Sequence, residues 1–250
     1  MVSYLFYLLA YPILLLTSIF IGRKTADHSH RKSHQWKPLG VEGGLMGFYG
    51  LLVSFTLVQS GSHFKERVDM GQRLADELSE LLRITQTLDP GVAQQIRIFT
   101  FKAHKVMLEY KYNSTGSVYK VIGRIEDMDK ELDKYLLAYM KTNPASRTEM
   151  VNIMVKIDHL ESVAYRILHS YHRSIPIFIL FVLVLYSLLI GFMLGFIGRY
   201  YKNHIHISTS IFVIISFITI NFIHDLDSPS QGFIKPDFQD ITDVVNMYNK

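Results

Sequence analysis

Three groups of residues in this 250-residue chain have types and spacings that bear on chemistry. His28, His30 and His34 lie close together, and imidazole is a common metal ligand. Their spacing matches no recognised site and Asp27 is the only carboxylate nearby, so a solvated basic segment is preferred and no metal site is assigned. His224, Asp225 and Asp227 close an apolar run, where carboxylates form an acidic ring at a pore mouth if several copies surround an axis. The competing reading is a turn in which Asp225 or Asp227 accepts hydrogen bonds from the backbone that follows it, shaped by Pro229 and Gly232. The third group is uncharged and sits inside apolar runs: Gly47, Gly50, Ser54 and Gln59 in one, Ser216 and Asn221 in another. Such residues either bond helix to helix or line a water-filled path, which makes these six the pore-lining candidates.

Other chemistry has little to stand on. The sequence has no nucleophile-elbow motif, no HExxH, no Walker loop and no dinucleotide fingerprint. No catalytic residue and no cofactor is therefore expected, and the chain is not read as an enzyme. Its lack of cysteine removes disulfides and thiolate ligands together. The formal charge of +4 comes from basic residues mixed with acids or placed beside apolar runs, a membrane flank rather than a nucleic-acid footprint. No Asp, Glu, Lys or Arg lies at the middle of an apolar run, which argues against a proton-coupled pump or a voltage sensor.

The elements that must position these residues follow from where charge is missing. Charged residues are nearly absent from Val2 to Gly22, Gly43 to Ser62, Ile175 to Gly198 and Ile207 to Ile223. Each run has roughly the 17–25 residues a helix needs to cross a hydrocarbon core. Between Lys65 and Arg173 charges recur every few residues. The expected fold is an all-α membrane protein: four transmembrane helices with a helical soluble domain inserted between the second and the third. The first two spans and a polar linker (23–42) occupy 1–62, the soluble helices 63–173, the last two spans 174–224, and a turn and tail 225–250. The first run lacks a basic leader and is longer than a usual signal-peptide core, so it is read as a retained span in which Pro12 makes a kink.

Gly43, Gly47, Gly50 and Ser54 form one small-residue stripe, and Ser187, Gly191, Gly195 and Gly198 another. Both predict close helix packing, within the chain or between copies. In the middle domain, apolar stripes run through Leu74, Leu78, Leu81 and Leu88, and through Val92, Ile96, Phe99 and Ala103. Another runs through Met150, Ile153, Ile157, Leu160, Ala164 and Ile167. Asp89-Pro90-Gly91, Asn113 to Ser117 and Asn143-Pro144 supply the breaks. Ser146 and Glu149 have capping-box spacing. The second span is expected to continue into the Lys65 helix, and the Met150 helix into the third span. A short amphipathic helix is expected over Phe238 to Tyr248.

Two segments carry a family resemblance. One is the Gly-rich run Gly47 to Arg67 leading to Asp76-Glu77 and the Leu88–Pro90 break; the more specific is Asp225-Leu226-Asp227-Ser228-Pro229-Ser230-Gln231-Gly232. Together they resemble the bestrophin-like domain family of uncharacterised membrane proteins, from about Gly43 to Phe238. Ser228, Ser230 and Gln231 stand where arginines often flank that family's proline, and no Asn follows Glu77, so an anion-binding role of those arginines has no counterpart here. The resemblance implies a distant likeness to bestrophins, which are pentameric anion channels with cytosolic helical domains.

On these grounds the leading expectation is a homo-oligomeric ion channel or pore, lined mainly by the second span, in a plasma (inner) membrane with the middle domain in the cytoplasm. Its partners are the lipid bilayer, other copies of the chain (five by the bestrophin likeness) and inorganic ions. The rival expectation is a membrane-anchored sensor or scaffold whose middle helices bind a partner.

Overall fold

The computed structural model of the chain describes residues 5–31, 40–109, 115–200, 206–228 and 232–248, and in these every regular element is helical. Eight α-helices follow one another: α1 (Tyr11–Arg31), α2 (Val41–Ile84), α3 (Pro90–Glu109), α4 (Thr115–Thr142), α5 (Arg147–Ser170), α6 (Ile177–Tyr200), α7 (His206–Asp227) and α8 (Gln239–Tyr248). The chain divides into two compact units, residues 1–63 with 174–234 and residues 64–173 with 235–250.

The first unit contains the apolar helices. Four helical stretches, Phe6–Ser29, Val41–Ile84, Ile177–Tyr200 and Ile207–Asp227, are long and apolar enough to cross a membrane. Their outward faces carry large apolar side chains: Ile13, Leu16 and Phe20 on α1, Phe178, Phe181 and Leu189 on α6, Ile211, Ile214 and Ile218 on α7. Contiguous apolar surface of this kind is unfavourable in water and matches a lipid surroundings. Inside, Tyr11, Leu15, Leu183, Val184, Ile190, Ile220 and Ile223 pack as one core. Pro12 offers no N–H to Leu8, and directly before it the helix widens to a π-turn over Phe6–Ala10, with the Tyr11 N–H reaching the Phe6 carbonyl.

The second unit is a bundle of amphipathic helices. Leu74, Leu78, Leu81 and Leu82 of α2 meet Val92, Ile96 and Phe99 of α3 and the Met150, Ile153, Ile157, Leu160, Ala164 and Ile167 stripe of α5. Helix α8 completes the core with Ile241 and Val245. Just before it, the Phe238 ring fills the place of a side chain at Gly71, where an added Cβ would stand 2.5 Å from Cδ1.

Several expectations need correction. The polar linker assigned to 23–42 is helical through Arg31, because Arg23 to His30 continue the turns of α1 with no Pro or Gly to stop them. Of the expected Asn113–Ser117 turn, Asn113 and Ser114 lie outside the described residues, and Thr115 to Ser117 already belong to α4. Ser146 makes no side-chain cap; a 3-10 turn over Pro144–Ser146 leads into α5, with the Arg147 N–H on the Pro144 carbonyl. The Met150 helix does not continue into the third span: α5 ends at Ser170 and α6 starts at Ile177, with Pro176 lacking the N–H that would bridge them. The second span does run on, in α2, to Ile84. Asp225 and Asp227, assigned to a turn after the last span, belong to the final turn of α7.

Candidate functional site

Two of the sequence-level groups are distributed over α2 and α7 of the first unit. Helix α2 has two faces of opposite use. One buries Tyr49, Thr56 and Ser60. The Tyr49 hydroxyl lies 3.4 Å from Ser216 Oγ, and the Ser60 hydroxyl donates to the Ile223 carbonyl at 2.9 Å. The other face carries Gly43, Gly47, Gly50 and Ser54 at three-and-four spacing. A Cβ added at Gly43, Gly44, Gly47, Gly50 or Gly61 would meet nothing within 4 Å among the described residues. Ser54 and Gln59 are exposed, and the Ser54 hydroxyl returns to the Gly50 carbonyl at 2.9 Å. Only 11% of the apolar window of α2 is buried inside the chain, against 39% for α6.

The second small-residue stripe is used within the chain. At Gly195 an added Cβ would collide with Ile19, with its carbonyl carbon at 2.9 Å; at Gly22 it would collide with Phe192, with its carbonyl carbon at 2.9 Å. Gly191 faces Leu15 and Ile19, and Ser187 accepts the Tyr11 hydroxyl at 3.1 Å. The Ser18 hydroxyl donates to the Leu188 carbonyl at 2.6 Å. Helices α1 and α6 thus touch backbone to backbone at Gly195 and Gly22 and pack through side chains at Ser187 and Gly191, with Gly198 half-buried beyond them. Gly43, also expected to pack against a helix, has no such neighbour among the described residues.

The pore-lining candidates therefore separate. Gly47, Gly50, Ser54 and Gln59 lie on accessible surface of α2, whereas Ser216 is buried beneath Tyr49. The Asn221 amide donates to the Phe217 carbonyl at 2.8 Å and the Tyr7 carbonyl at 3.3 Å, tying α7 to the start of the chain. Polar groups buried this way satisfy one another.

The end of α7 has the geometry of the competing reading. Asp225 accepts the N–H groups of Phe233 at 2.7 Å and Ile234 at 2.8 Å, which holds the following segment against the helix end. At Gly232 a Cβ would stand 2.5 Å from Asp225 Oδ1 and 2.8 Å from the Asp225 carbonyl oxygen, so the fold needs glycine there. Both oxygens of Asp227 accept the Ile175 N–H, at 3.0 and 2.8 Å, just before α6; His63 Nδ1 is 3.4 Å from Oδ1. A carboxylate in the last turn of a helix faces the negative end of the dipole, and these N–H groups offset that cost. His224 is buried with its ring 4.5 Å from that of Tyr7. Because these side chains are buried among backbone donors, the pore-mouth assignment of His224, Asp225 and Asp227 is not carried forward. Of the histidine group, His28 is exposed on α1, while His34 and the His30 side chain lie outside what is described, as do Trp36 and Pro229.

The second unit holds two arrangements that sequence reasoning missed. Arg67 is fully buried, with Nε donating to the Ser170 carbonyl at 3.2 Å and Nη2 to the Arg173 carbonyl at 2.8 Å; a cation thus serves carbonyls at the C-terminal end of α5 and just beyond it. Glu161 is buried on α5, with Oε2 accepting the Tyr165 hydroxyl at 3.4 Å and Oε1 meeting no partner among the described residues. It borders an apolar cavity of about 30 Å³, room for about one water molecule. Burial, then Asp129, pushes its carboxyl up to about 8, with Asp158 and Glu126 adding to the shift. Burial and then the Asp133 charge push Asp129 up to about 6. No charge run in the sequence marks Glu161, since it follows Leu160 on the apolar face of an otherwise ordinary amphipathic helix.

Fold and site together define an all-helical protein with four helices long and apolar enough to span a membrane. No family model, no curated protein and no solved structure matches the chain.

Proposed function

We propose that the chain is the subunit of a homo-oligomeric membrane ion channel or pore, with the open face of α2 turned toward the shared axis. The observation that carries the reading is the contrast between the two small-residue stripes. The stripe on α6 is consumed against α1, while the one on α2 lies away from the face that packs within the chain. In a membrane, small residues gain nothing from facing lipid; they serve close helix approach or leave room along an axis. Exposed Ser54 and Gln59 add hydrogen-bonding groups to that helix. The resemblance of Asp225 to Gly232 to the bestrophin-like segment points in the same direction, and the proposal includes an inner-membrane location with the charged helices in the cytoplasm.

The absence of native cysteine makes the test clean. Single cysteines are placed at Gly47, Gly50, Ser54 and, as lipid-facing controls, at Phe181 and Ile214. A charged, membrane-impermeant thiol reagent should alter the current at the first three and leave the controls unchanged. Equal insensitivity at all five positions in a conducting protein would remove α2 from the lining. Well-assembled oligomers that pass no current would favour the scaffold reading.

A further inference from the structure

Helices α1 and α7 run antiparallel, joined at one end by the Asn221 amide on the Tyr7 carbonyl, and they part toward the other. The opening is a groove of about 480 Å³, inside the roughly 300–1,000 Å³ typical of ligand sites. Leu16 and Phe20 of α1 and Val213 and Ile214 of α7 line its apolar length; Arg23, Thr209 and Ser210 line its end. We propose that this groove binds one anionic phospholipid, an acyl chain along the apolar length and the headgroup phosphate at Arg23 with the Ser210 hydroxyl.

Three observations select that occupant. The groove is bordered by exposed Ile13, Leu16 and Phe20 and by Ile211, Ile214 and Ile218, the surface that a membrane-crossing helix shows to lipid. Those bulky side chains disfavour close backbone approach by a second helix, and the small-residue surface lies on α2 instead. The polar end is basic. Asp27, one turn beyond Arg23, is engaged by Arg199 Nε at 2.6 Å, and Lys24 stands beside Arg23 with its ammonium 4.9 Å from the Phe20 ring centroid. Basic groups at the end of an apolar groove between spans match an anionic headgroup. The inference rests on α1 and α7 crossing a membrane and is independent of conduction.

Native mass spectrometry of the purified full chain in detergent tests it, with phosphatidylglycerol and phosphatidylcholine of the same acyl chains. The wild type should retain phosphatidylglycerol preferentially. Arg23→Gln should lose roughly five-fold of that preference, the equivalent of about 1 kcal/mol for one basic residue at an anionic surface, and Arg23→Lys should keep most of it. Ser210→Trp, on an exposed position, should fill the groove and reduce retention of both lipids while the protein elutes unchanged from a sizing column. Equal retention of the two lipids by wild type, or an unaltered preference in Arg23→Gln, would overturn the proposal. Displacement of the lipid by millimolar inorganic phosphate would overturn it also, in favour of a simple anion site.

Discussion

Replacing Gly195 by Ala should separate α1 from α6, and replacing Gly50 by Ala should not. The new methyl at Gly195 would meet the Ile19 carbonyl group, with its carbon at 2.9 Å and the Ile19 Cα at 3.1 Å, whereas ordinary contact begins at 3.4 Å. The obstacle is backbone inside a helix, so no rotamer change relieves it. The two helices must part by at least about 0.5 Å, and by more for the oxygen, which loosens the Tyr11–Ser187 and Ser18–Leu188 hydrogen bonds. Overpacking of this kind costs about 1–3 kcal/mol. At Gly50 the added methyl would meet nothing within 4 Å among the described residues, and alanine has the higher helix propensity by about 1 kcal/mol, so stability is unchanged or slightly raised. Thermal unfolding followed by circular dichroism in detergent, with sizing chromatography to confirm dispersity, compares the two variants with wild type. A Gly195→Ala protein that melts with wild type, or a Gly50→Ala protein that loses as much stability as Gly195→Ala, would refute the assignment of the two stripes.

Three further outcomes follow from the side chains already described. Asp227→Ala strands the Ile175 N–H that both carboxylate oxygens accept, at a cost of about 1–3 kcal/mol for a buried unpaired donor, and Asp227→Asn, which keeps one acceptor oxygen, should lose less in the same melts. Arg67→Lys replaces the two separated donors of the guanidinium fork by one ammonium, so trypsin cleavage after Arg173 should accelerate several-fold while Arg173→Gln controls for the site; an unchanged rate would show that the fork is not needed. Glu161 is raised on folding from 4.5 to about 8, so the folded state holds its proton more firmly than the unfolded one. Its stabilising contribution is complete below pH 4.5 and is lost as pH rises through about 8, so the wild type should melt progressively lower across that range. Glu161→Gln, which stays neutral, should flatten that slope and melt higher than wild type at pH 9; parallel pH profiles would show that the carboxyl is already solvated.

The sequence made the four apolar helices legible because charge is a strong signal against hydrocarbon: the gaps in Lys, Arg, Asp and Glu nearly coincide with the spans of α1, α6 and α7. Periodicity likewise located the core of the second unit, where Val92, Ile96, Phe99 and the Met150-to-Ile167 stripe are buried together. Helix ends were less legible, since they depend on local alternatives such as the 3-10 turn that replaces the Ser146 cap. The two glycine stripes look alike in sequence, and only the position of α1 distinguishes the one on α6 that is filled from the one on α2 that is open. The Asp-x-Asp segment illustrates the same limit. Its acceptors are matched by N–H groups at Ile175, 52 residues away, and at Phe233 and Ile234, so spacing alone offered both an acidic ring and a latch. Arg67 carried no local signal because its acceptors lie about a hundred residues on, at the end of α5 and just after it, and Glu161 because the largest charge acting on it, Asp129, comes from α4.

The most direct measurement is single-channel recording from purified protein in planar bilayers under asymmetric salt. The proposal predicts discrete currents with a reversal potential displaced from zero, and a lower conductance when Gly50 or Ser54 is replaced by Leu in oligomers that still assemble. Sustained silence from intact oligomers, or conductance and selectivity identical in Gly50→Leu, Ser54→Leu and wild type, would contradict it.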